Sequence, residues 1–125
     1  MVALWRRCEL TRPWNDPHKD IARKRTVQSE LFLVAVEDGT IVAAAMAGYD
    51  GHRGSVNYLA VDPAYRRRGF GRALMRSIEE ALASRGCPKV NLLVRSANAE
   101  VIAFYQRLGY ARDDVVALGK RLIPD

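Results

Sequence analysis

Residues 57–74 read NYLAVDPAYRRRGFGRAL and combine three local patterns in one stretch. Residues 58–61 are apolar and favour a β-strand, which the pair Asp62-Pro63 ends. From Phe70 onward, apolar residues recur at the spacing of a helix. The arginine-rich loop between these two elements therefore ends at the N-terminus of a helix, where its backbone amide groups lie.

This loop has the properties of a phosphate-binding site. The first amide groups of a helix lack partners inside it, and the macrodipole places about half a positive charge there. Gly69 and Gly71 lack the side chains that would hold a ligand away from the backbone. We expect a di-anionic phosphate group here, with a basic turn that only caps a surface helix as the alternative. The arginines around the loop are Arg66, Arg67, Arg68 and Arg72.

Bulk composition limits the classes of protein to consider. A chain of 125 residues, 49% hydrophobic, predicts a single domain over residues 1–125. A net charge of +6 indicates an anionic partner, either a phosphorylated cofactor or a nucleic acid. No apolar run is long enough for a membrane span, so we expect no membrane partner. Two cysteines and two histidines without a cluster predict a reducing, cytoplasmic location and no metal.

The order of the local patterns predicts a mixed α/β fold. Residues 2–10 favour a helix, and Asp16 is placed to cap a second helix that runs to about residue 27. Three antiparallel strands are predicted over 31–36, 41–49 and 55–61, joined by turns at residues 38–39 and 50–54. A helix from Phe70 to Arg85 leads to a strand at 89–94, which we expect to be central in the sheet and parallel to 55–61. The remaining predicted elements are a helix from Asn98 to Leu108 and short strands at 110–112 and 115–122.

Two motifs carry a resemblance to a known family. The sequence Arg66-x-x-Gly69-x-Gly71 resembles the (Gln/Arg)-x-x-Gly-x-(Gly/Ala) pyrophosphate loop of the GCN5-related N-acetyltransferase (GNAT) superfamily. The run from Asn98 to Phe104-Tyr105-x-x-Leu108-Gly109-Tyr110 resembles its second signature. The two signatures lie about 30 residues apart in the family's order, and the resemblance covers roughly residues 31–122.

The resemblance implies a GNAT fold, a central, mixed and splayed β-sheet flanked by helices. Family members usually begin with a strand before the first helix, and that first strand is apparently missing here. Either the strand is absent or the true chain starts further upstream. Without it, the edge of the strand at 31–36 would be uncovered, which can lead to aggregation or to a homodimer.

The resemblance also implies acetyl-CoA as co-substrate and a set of residues that bind it. In the family the loop amides hold the pyrophosphate, the pantetheine arm pairs with the preceding strand, and an asparagine bonds the pantetheine amide. Carried onto this sequence, the cofactor-binding residues are Leu59, Ala60, Val61, Arg66, Arg67, Arg68, Gly69, Phe70, Gly71, Arg72 and Asn98. A backbone amide near Val61 would stabilise the oxyanion. By position alone, Asn98 is also an ordinary helix N-cap.

The family places a tyrosine hydroxyl near the thioester sulfur, and the matching residue is Tyr105. The departing thiolate needs a proton or a hydrogen bond, which a tyrosine can supply. The alternative is that Tyr105 is a core aromatic, since it lies beside an apolar helical stripe.

The general base and the acceptor site are less defined by the sequence. Candidate bases are Asp16, His18, Asp50 and His52; a base acting through water, or none at all, are alternatives. The segments 14–17 and 49–54 are similar to those of a small bacterial, YpeA-like branch of the family. We expect them to shape the acceptor pocket, with turn chemistry as the alternative. The candidate substrate residues are Trp14, Asp16, Asp50, His52 and Tyr58.

The sequence therefore predicts an N-acetyltransferase that transfers acetyl directly from acetyl-CoA to a primary amine. The acceptor is a small molecule or peptide, and neither cysteine has a histidine nearby to activate it as a nucleophile. One alternative is an acyl-CoA sensor without turnover. Another is a basic nucleic-acid-binding module, which the lack of aromatic residues among the arginines disfavours, so we expect no nucleic-acid partner.

Overall fold

The computed structural model describes all residues from 1 to 125. The helices are α1 (Val2–Arg7), α2 (Pro17–Lys24), α3 (Phe70–Ser84) and α4 (Ala99–Arg107). The strands are β1 (Phe32–Glu37), β2 (Thr40–Tyr49), β3 (Gly54–Val61) and β4 (Val90–Leu92). Short 3-10 turns lie at Ser29–Leu31 and Pro63–Tyr65. None of the helices is both long and apolar enough to cross a membrane.

The four strands form one mixed sheet in the order β1-β2-β3-β4. β1, β2 and β3 are antiparallel neighbours, and β4 pairs parallel to β3. Both arrangements confirm the sequence prediction. The tight turn between β1 and β2 places Asp38 and Gly39 at φ values of 51° and 77°. Two successive positive φ angles suit the twist of a two-residue hairpin, and Asp-Gly is a pair that adopts them readily.

Strand β2 is buried on both faces, which explains its alanine-rich sequence. Ala45 and Ala47 belong to a core cluster under α3 that also contains Met75 and Ile78. Ala44 faces the opposite side. Small side chains allow helices to approach the sheet closely from both sides, so burial outweighs the weak strand propensity of alanine.

The second core cluster lies under α1. Leu4 and Trp5 are fully buried and pack with Ala44 and Ala60 of the sheet. The Trp5 ring stacks on Tyr58, with centroids 4.1 Å apart. The helix predicted at the start of the sequence is therefore part of the core.

A β-bulge and a divergence between strands shape the sheet near its centre. Met46 pairs with Asn57 and Ala44 pairs with Ala60, so Tyr58 and Leu59 together oppose one residue of β2. Tyr58 has a φ of 54° at this bulge. β3 and β4 pair only over three positions, from Gly54–Val90 to Val56–Leu92, and diverge beyond them. The splayed sheet predicted from the family resemblance is thus present.

Two predictions about strands were wrong. The strand predicted at 89–94 as central is only Val90–Leu92, because β3 and β4 separate after three pairs. It lies at the sheet edge, because no strand pairs with its other side. The short strands predicted at 110–112 and 115–122 do not form. Instead, side-chain contacts such as Arg121 to Asn15 (2.8 Å) attach this segment to the α1–α2 connector. Its apolar residues Val115, Val116, Leu118 and Leu122 are exposed.

The outer edge of β1 is uncovered, as the sequence led us to expect. β1 pairs with β2 alone, and Val34 and Val36 are exposed. An unpaired strand edge can add a strand from another chain.

Candidate active site

The loop that precedes α3 presents a continuous series of free amide groups. None of the backbone N–H groups from Arg66 to Arg72 donates a hydrogen bond within the protein; the next, Ala73 N, donates to Gly69 O at 3.0 Å. Gly69 is the N-cap of α3, with φ at 84° and ψ at 6°. Arg67 also has a positive φ of 64°. Residues with positive φ in a turn before a helix can aim successive amides into one concavity, which is a geometry that binds anions.

The arginines of this loop differ in what they contact. Arg68 donates to both carboxylate oxygens of Glu37, at 3.0 and 2.7 Å, and its guanidinium lies 5.5 Å from the Phe70 ring centroid. Arg66 Nε donates to the carbonyl of Val61 at 3.2 Å. Two of the four loop arginines are thus held against the protein, while Arg67 and Arg72 form no hydrogen bond or ion pair and are exposed.

Gly71 has a packing role that the sequence did not indicate. A Cβ atom at this position would lie 3.1 Å from Phe104 Cζ and 3.5 Å from Val61 Cγ2. Glycine is therefore required for α3 to approach α4, in addition to any approach of a ligand. Gly69 has open space around its missing Cβ and is required instead for its positive φ.

The peptide group of Val61 faces the gap between β3 and β4. Asp62 N donates to Val42 O at 2.8 Å, which makes Ala43 and Val61 a non-hydrogen-bonded pair of the antiparallel ladder. The N–H and C=O of Val61 therefore point away from β2. Its carbonyl accepts from Cys8 Sγ at 3.2 Å and from Arg66 Nε, whereas its amide has no partner from β2. This amide is in the position where the family resemblance implies an oxyanion donor.

Cys8 lies beside this peptide group but is not an activated thiol. Burial raises its pKa above the usual value, and the neighbouring Arg66 only partly opposes this shift. The cysteine therefore remains a protonated thiol at neutral pH.

Tyr105 lies in the core between α4 and α3. It is 7% exposed and makes edge-to-face contacts with Phe104 and Tyr110, at 5.1 and 5.6 Å between centroids. Its hydroxyl has no hydrogen-bond partner in the protein, and burial raises its pKa to about 12. It borders a cavity of about 1280 Å³ bounded by α3, β4, α4 and the segment after α4. Tyr105 is thus a core aromatic with an uncommitted, neutral phenol.

Asn98 is the N-cap of α4. Its Oδ1 accepts from Val101 N at 3.3 Å, while its side-chain nitrogen forms no hydrogen bond within the protein. The same side chain can therefore cap the helix with its oxygen and donate elsewhere with its nitrogen.

A second cavity, of about 800 Å³, opens beside the bulge in β3, and we call it the acceptor cavity. Its walls come from the α1–α2 connector, helix α2, strands β2 and β3 and the segment that follows β4. The lining residues are Leu10, Arg12, Trp14, Asn15, Asp20, Arg23, Lys24, Val27, Met46, Asn57, Tyr58, Leu93, Val94 and Arg95.

Asp20 is the sole carboxylate among these lining residues. Its Oδ2 accepts from the Tyr58 hydroxyl at 2.7 Å, and its Oδ1 accepts from Arg23 at 3.2 Å. Burial, together with the hydrogen bond to Asp20, raises the pKa of Tyr58 well above its usual value. The phenol therefore stays protonated and fixes the orientation of the carboxylate.

The other charged residues of the acceptor cavity are cations. Lys24 is buried, its Nζ donates to Ala47 O, and burial lowers its pKa. Arg12 donates only to the carbonyl oxygens of Glu9 and Thr11, at 2.6 and 3.0 Å. Arg95 lies over the Trp14 ring, 5.7 Å from its centroid.

The structure brings together only some of the acceptor residues considered from the sequence. Trp14 and Tyr58 line the acceptor cavity. Asp16 instead caps α2, accepting from His18 N at 2.9 Å. Asp50 and His52 lie in the β2–β3 turn, at the end of β3 far from the loop, and do not line this cavity.

Turn chemistry accounts for Asp50. Its Oδ1 accepts from the amides of Arg53 and His52, at 2.8 and 2.7 Å, and these bonds lower its pKa.

Sequence reasoning missed Asp20, Lys24 and Arg95. Lys24 lies in a run of basic residues, which is typical of a solvated helix face. Asp20 lies one helical turn after Asp16, which places it on the same side of α2; that spacing was the available signal. No local signal relates Arg95 to Trp14, since their contact joins distant segments.

Comparisons with known proteins agree with this fold. The model of the acetyltransferase (GNAT) family matches residues 1–110. An acetyltransferase of Yersinia pestis is 54% identical over 125 residues, covering 100% of this chain and 89% of that protein. The chain therefore belongs to the GNAT acetyltransferase family, and it is an acyltransferase.

Solved structures of the same fold include two named enzymes. The Escherichia coli ribosomal-protein-S18-alanine N-acetyltransferase is 30% identical with a TM-score of 0.68, over 86% of this chain and 69% of that chain. Chaetomium thermophilum Naa20, in complex with a bisubstrate analogue, is 25% identical with a TM-score of 0.75, over 88% of this chain and 66% of that chain.

Proposed function

We propose that this protein is an acetyl-CoA-dependent N-acetyltransferase that transfers the acetyl group directly to a primary amine. The observation that carries the proposal is the run of unpaired amides from Arg66 to Arg72 at the N-terminus of α3. Most of these residues are exposed, so their amides are open to a ligand, and a pyrophosphate could accept hydrogen bonds from several of them at once. The positive end of the helix dipole adds to this attraction.

The residues present fit acetyl-CoA along the line from the loop to the gap in the sheet. The amides of residues 66–72 would hold the pyrophosphate. The gap beyond the Val56–Leu92 pair leaves the inner edge of β3 open for the pantetheine arm, with Asn98 able to donate from its side-chain nitrogen. When bound, acetyl-CoA supplies an acetyl thioester whose C–S bond breaks as the N–C bond to the amine forms. The unpaired amide of Val61 would donate to the carbonyl oxygen of that group.

Tyr105 would act as a hydrogen-bond donor to the departing sulfur. With a pKa of about 12, its phenol is neutral at physiological pH. A free thiol has a pKa of about 8.5, so complete proton transfer from the phenol would cost roughly 5 kcal/mol. Donation of a hydrogen bond without full transfer avoids this cost, and the proton that ends on the thiol comes from the amine or from solvent.

Asp20 replaces the earlier candidates as the group that receives the amine. It is the carboxylate that lines the acceptor cavity, and Tyr58 and Arg23 hold its orientation. A carboxylate here would orient the amine and accept its proton. Asp16 and Asp50 are instead committed to capping and turn hydrogen bonds.

Direct transfer is favoured over a covalent enzyme intermediate. Cys8 lies beside Val61, but burial raises its pKa, so the thiolate needed for attack is scarce.

The first test is calorimetry with coenzyme A and with pantetheine, which lacks the phosphates. If the loop amides hold the pyrophosphate, coenzyme A should bind about 100-fold more tightly than pantetheine. Equal affinities, or no heat with coenzyme A at millimolar levels, would refute the assignment of the loop.

The second test is thiol release from acetyl-CoA in the presence of an amine library. Acetyl transfer to at least one amine is expected, and the acetylated product should be found by mass spectrometry. Tight coenzyme A binding without release for any amine would identify an acyl-CoA sensor instead of an enzyme.

A further inference from the structure

We propose that the acceptor is a primary amine that also carries an anionic group, a carboxylate or a phosphate, which Arg95 and Arg12 bind in the acceptor cavity. This inference rests on the proposed function, because it names the class of amine that the same site accepts. It favours amino acids and their derivatives over polyamines and aminoglycosides.

The side chains that line the acceptor cavity carry an excess of positive charge. Four cationic side chains line it, against the single carboxylate of Asp20. That carboxylate already accepts from Arg23. An amine that brings further positive charges would meet unpaired cations on the walls, and like charges within a few ångströms repel. An anionic group on the substrate would be attracted to the same walls.

Three of these four cations, Arg95, Arg12 and Lys24, lack carboxylate partners. The Arg95 side chain forms no hydrogen bond or ion pair, and its guanidinium lies over the face of Trp14. Arg12 and Lys24 donate to backbone carbonyl oxygens only. Stacking on an aromatic ring leaves the N–H edge of a guanidinium free, and that edge fits a carboxylate or a phosphate in bidentate geometry.

A carboxylate of the chain itself already binds one arginine of the acceptor cavity. The Asp125 carboxylate binds Arg23 Nη2 at 2.6 Å and accepts from Asp16 N at 3.2 Å. Its side chain is 2% exposed. This contact neutralises one cation of the wall, Arg23, and leaves Arg95 and Arg12 as the arginines available to a substrate.

The positions of the two charge types match a small zwitterionic amine. Asp20 is on α2 and hydrogen-bonded to the bulge residue Tyr58, while Arg95 follows β4 on the other side of the splayed strands. The amino group would lie towards Asp20 and the anionic group towards Arg95. A cavity of about 800 Å³ is ample for a molecule of amino-acid size.

The experiment compares each α-amino acid of a panel with its carboxamide, which has the same shape without the charge. Amino-acid binding is followed by fluorescence quenching of Trp14 in the presence of coenzyme A, and turnover by thiol release. We expect KM and the dissociation constant to be at least tenfold lower for the carboxylates. A second pair, O-phosphoethanolamine and ethanolamine, distinguishes a phosphate from a carboxylate as the preferred anion. Spermidine and an aminoglycoside serve as polycationic competitors.

Arg95→Ala is the variant that tests the residue. It should raise KM for the preferred anionic amine about three- to tenfold, with kcat and coenzyme A affinity unchanged, and should not affect the uncharged partner. Arg107→Ala, on the exposed side of α4 and also without an ion pair, is the matched control and should change none of these values. Trp14→Phe confirms the source of the fluorescence signal.

The outcomes separate this inference from the proposed function. If anionic amines bind through Arg95 but are not acetylated while other amines are, the enzymatic proposal stands and this inference is overturned. If no amine of any class is acetylated, the enzymatic proposal fails, and binding through Arg95 would then identify an anionic ligand and not a substrate. If carboxamides or polyamines are acetylated equally well or better, the enzymatic proposal stands and this inference is overturned. Absence of binding by any anionic amine at millimolar concentration also overturns it.

Discussion

The phosphate loop follows the C-terminal end of β3 and the acceptor cavity opens at the bulge in the same strand, yet the two sites are built in different ways. The loop is one continuous stretch, residues 66–72, whose free amides and positive φ angles all follow from its local sequence. The acceptor cavity is assembled from five separate parts of the chain, and its one carboxylate is oriented by a residue 38 positions away. Binding of the cofactor is thus encoded locally, and selection of the amine depends on tertiary structure.

The largest effect is expected when the loop itself is blocked. Gly71→Glu should abolish coenzyme A binding in calorimetry, because a carboxylate would repel the pyrophosphate. It should also lower Tm, since a Cβ at residue 71 would lie 3.1 Å from Phe104 Cζ. Gly119→Glu is the control, because no atom lies within 4 Å of its missing Cβ. If a folded Gly71→Glu protein kept its affinity for coenzyme A, the loop would not be the phosphate-binding site.

The next effect concerns Tyr105, which borders the larger cavity beside β4. Tyr105→Phe should lower kcat about 10- to 100-fold and leave the dissociation constant of coenzyme A unchanged, because the phenol would contact only the sulfur. Tyr110→Phe is the control. Its hydroxyl donates to Glu79 at 2.6 Å, so its loss should reduce stability by about 1 kcal/mol without lowering kcat.

The raised pKa of Tyr105 adds a pH dependence with a definite sign. A folded-state pKa of about 12, above the usual value of 10, means that the neutral phenol stabilises the fold fully below pH 10. This contribution is lost as the pH rises from 10 to about 12. Urea titrations should therefore show a steeper alkaline loss of stability in the wild type than in Tyr105→Phe, and parallel curves would contradict the burial of the phenol.

A smaller effect is expected from the acceptor cavity. Tyr58→Phe removes the 2.7 Å hydrogen bond to Asp20 and should raise KM for the amine about fivefold, with coenzyme A affinity unchanged. Tyr49→Phe, which loses only a 3.4 Å contact to Gly86 O, is the matched control. A change in coenzyme A affinity for Tyr58→Phe would mean that the two regions are not separate.

The smallest effect is expected for Arg68→Ala in the phosphate loop. Its guanidinium is engaged by Glu37 and exposed, so Tm should change by no more than about 2 °C. Coenzyme A affinity at low salt should weaken about two- to threefold, since a charge near the site is lost. A loss of 100-fold would show that the side chain, and not the backbone, binds the phosphates.

These differences explain how much the sequence predicted. The loop, the hairpin at Asp38-Gly39 and the caps at Asp16 and Asn98 depend on neighbours within a few residues, and all were predicted. The bulge at Tyr58 depends on a register shift against β2, for which a single strand carries no local signal.

The errors at the end of the chain have the same origin. Residues 115–122 are apolar and strand-prone, but a strand requires a partner edge, and β4 diverges from β3 after three pairs. The contact between Arg95 and Trp14 likewise joins two distant segments, so no local sequence pattern predicts it.

The missing side chain at residue 71 has a kinetic consequence. The Phe104 ring fills the space left by Gly71, and Phe104 is joined directly to Tyr105. A ligand that shifts the loop towards α4 would act on the contact between Gly71 and Phe104. It would thereby help to fix the position of the neighbouring Tyr105 phenol. We therefore expect an ordered reaction, in which acetyl-CoA must add before the amine can be used productively.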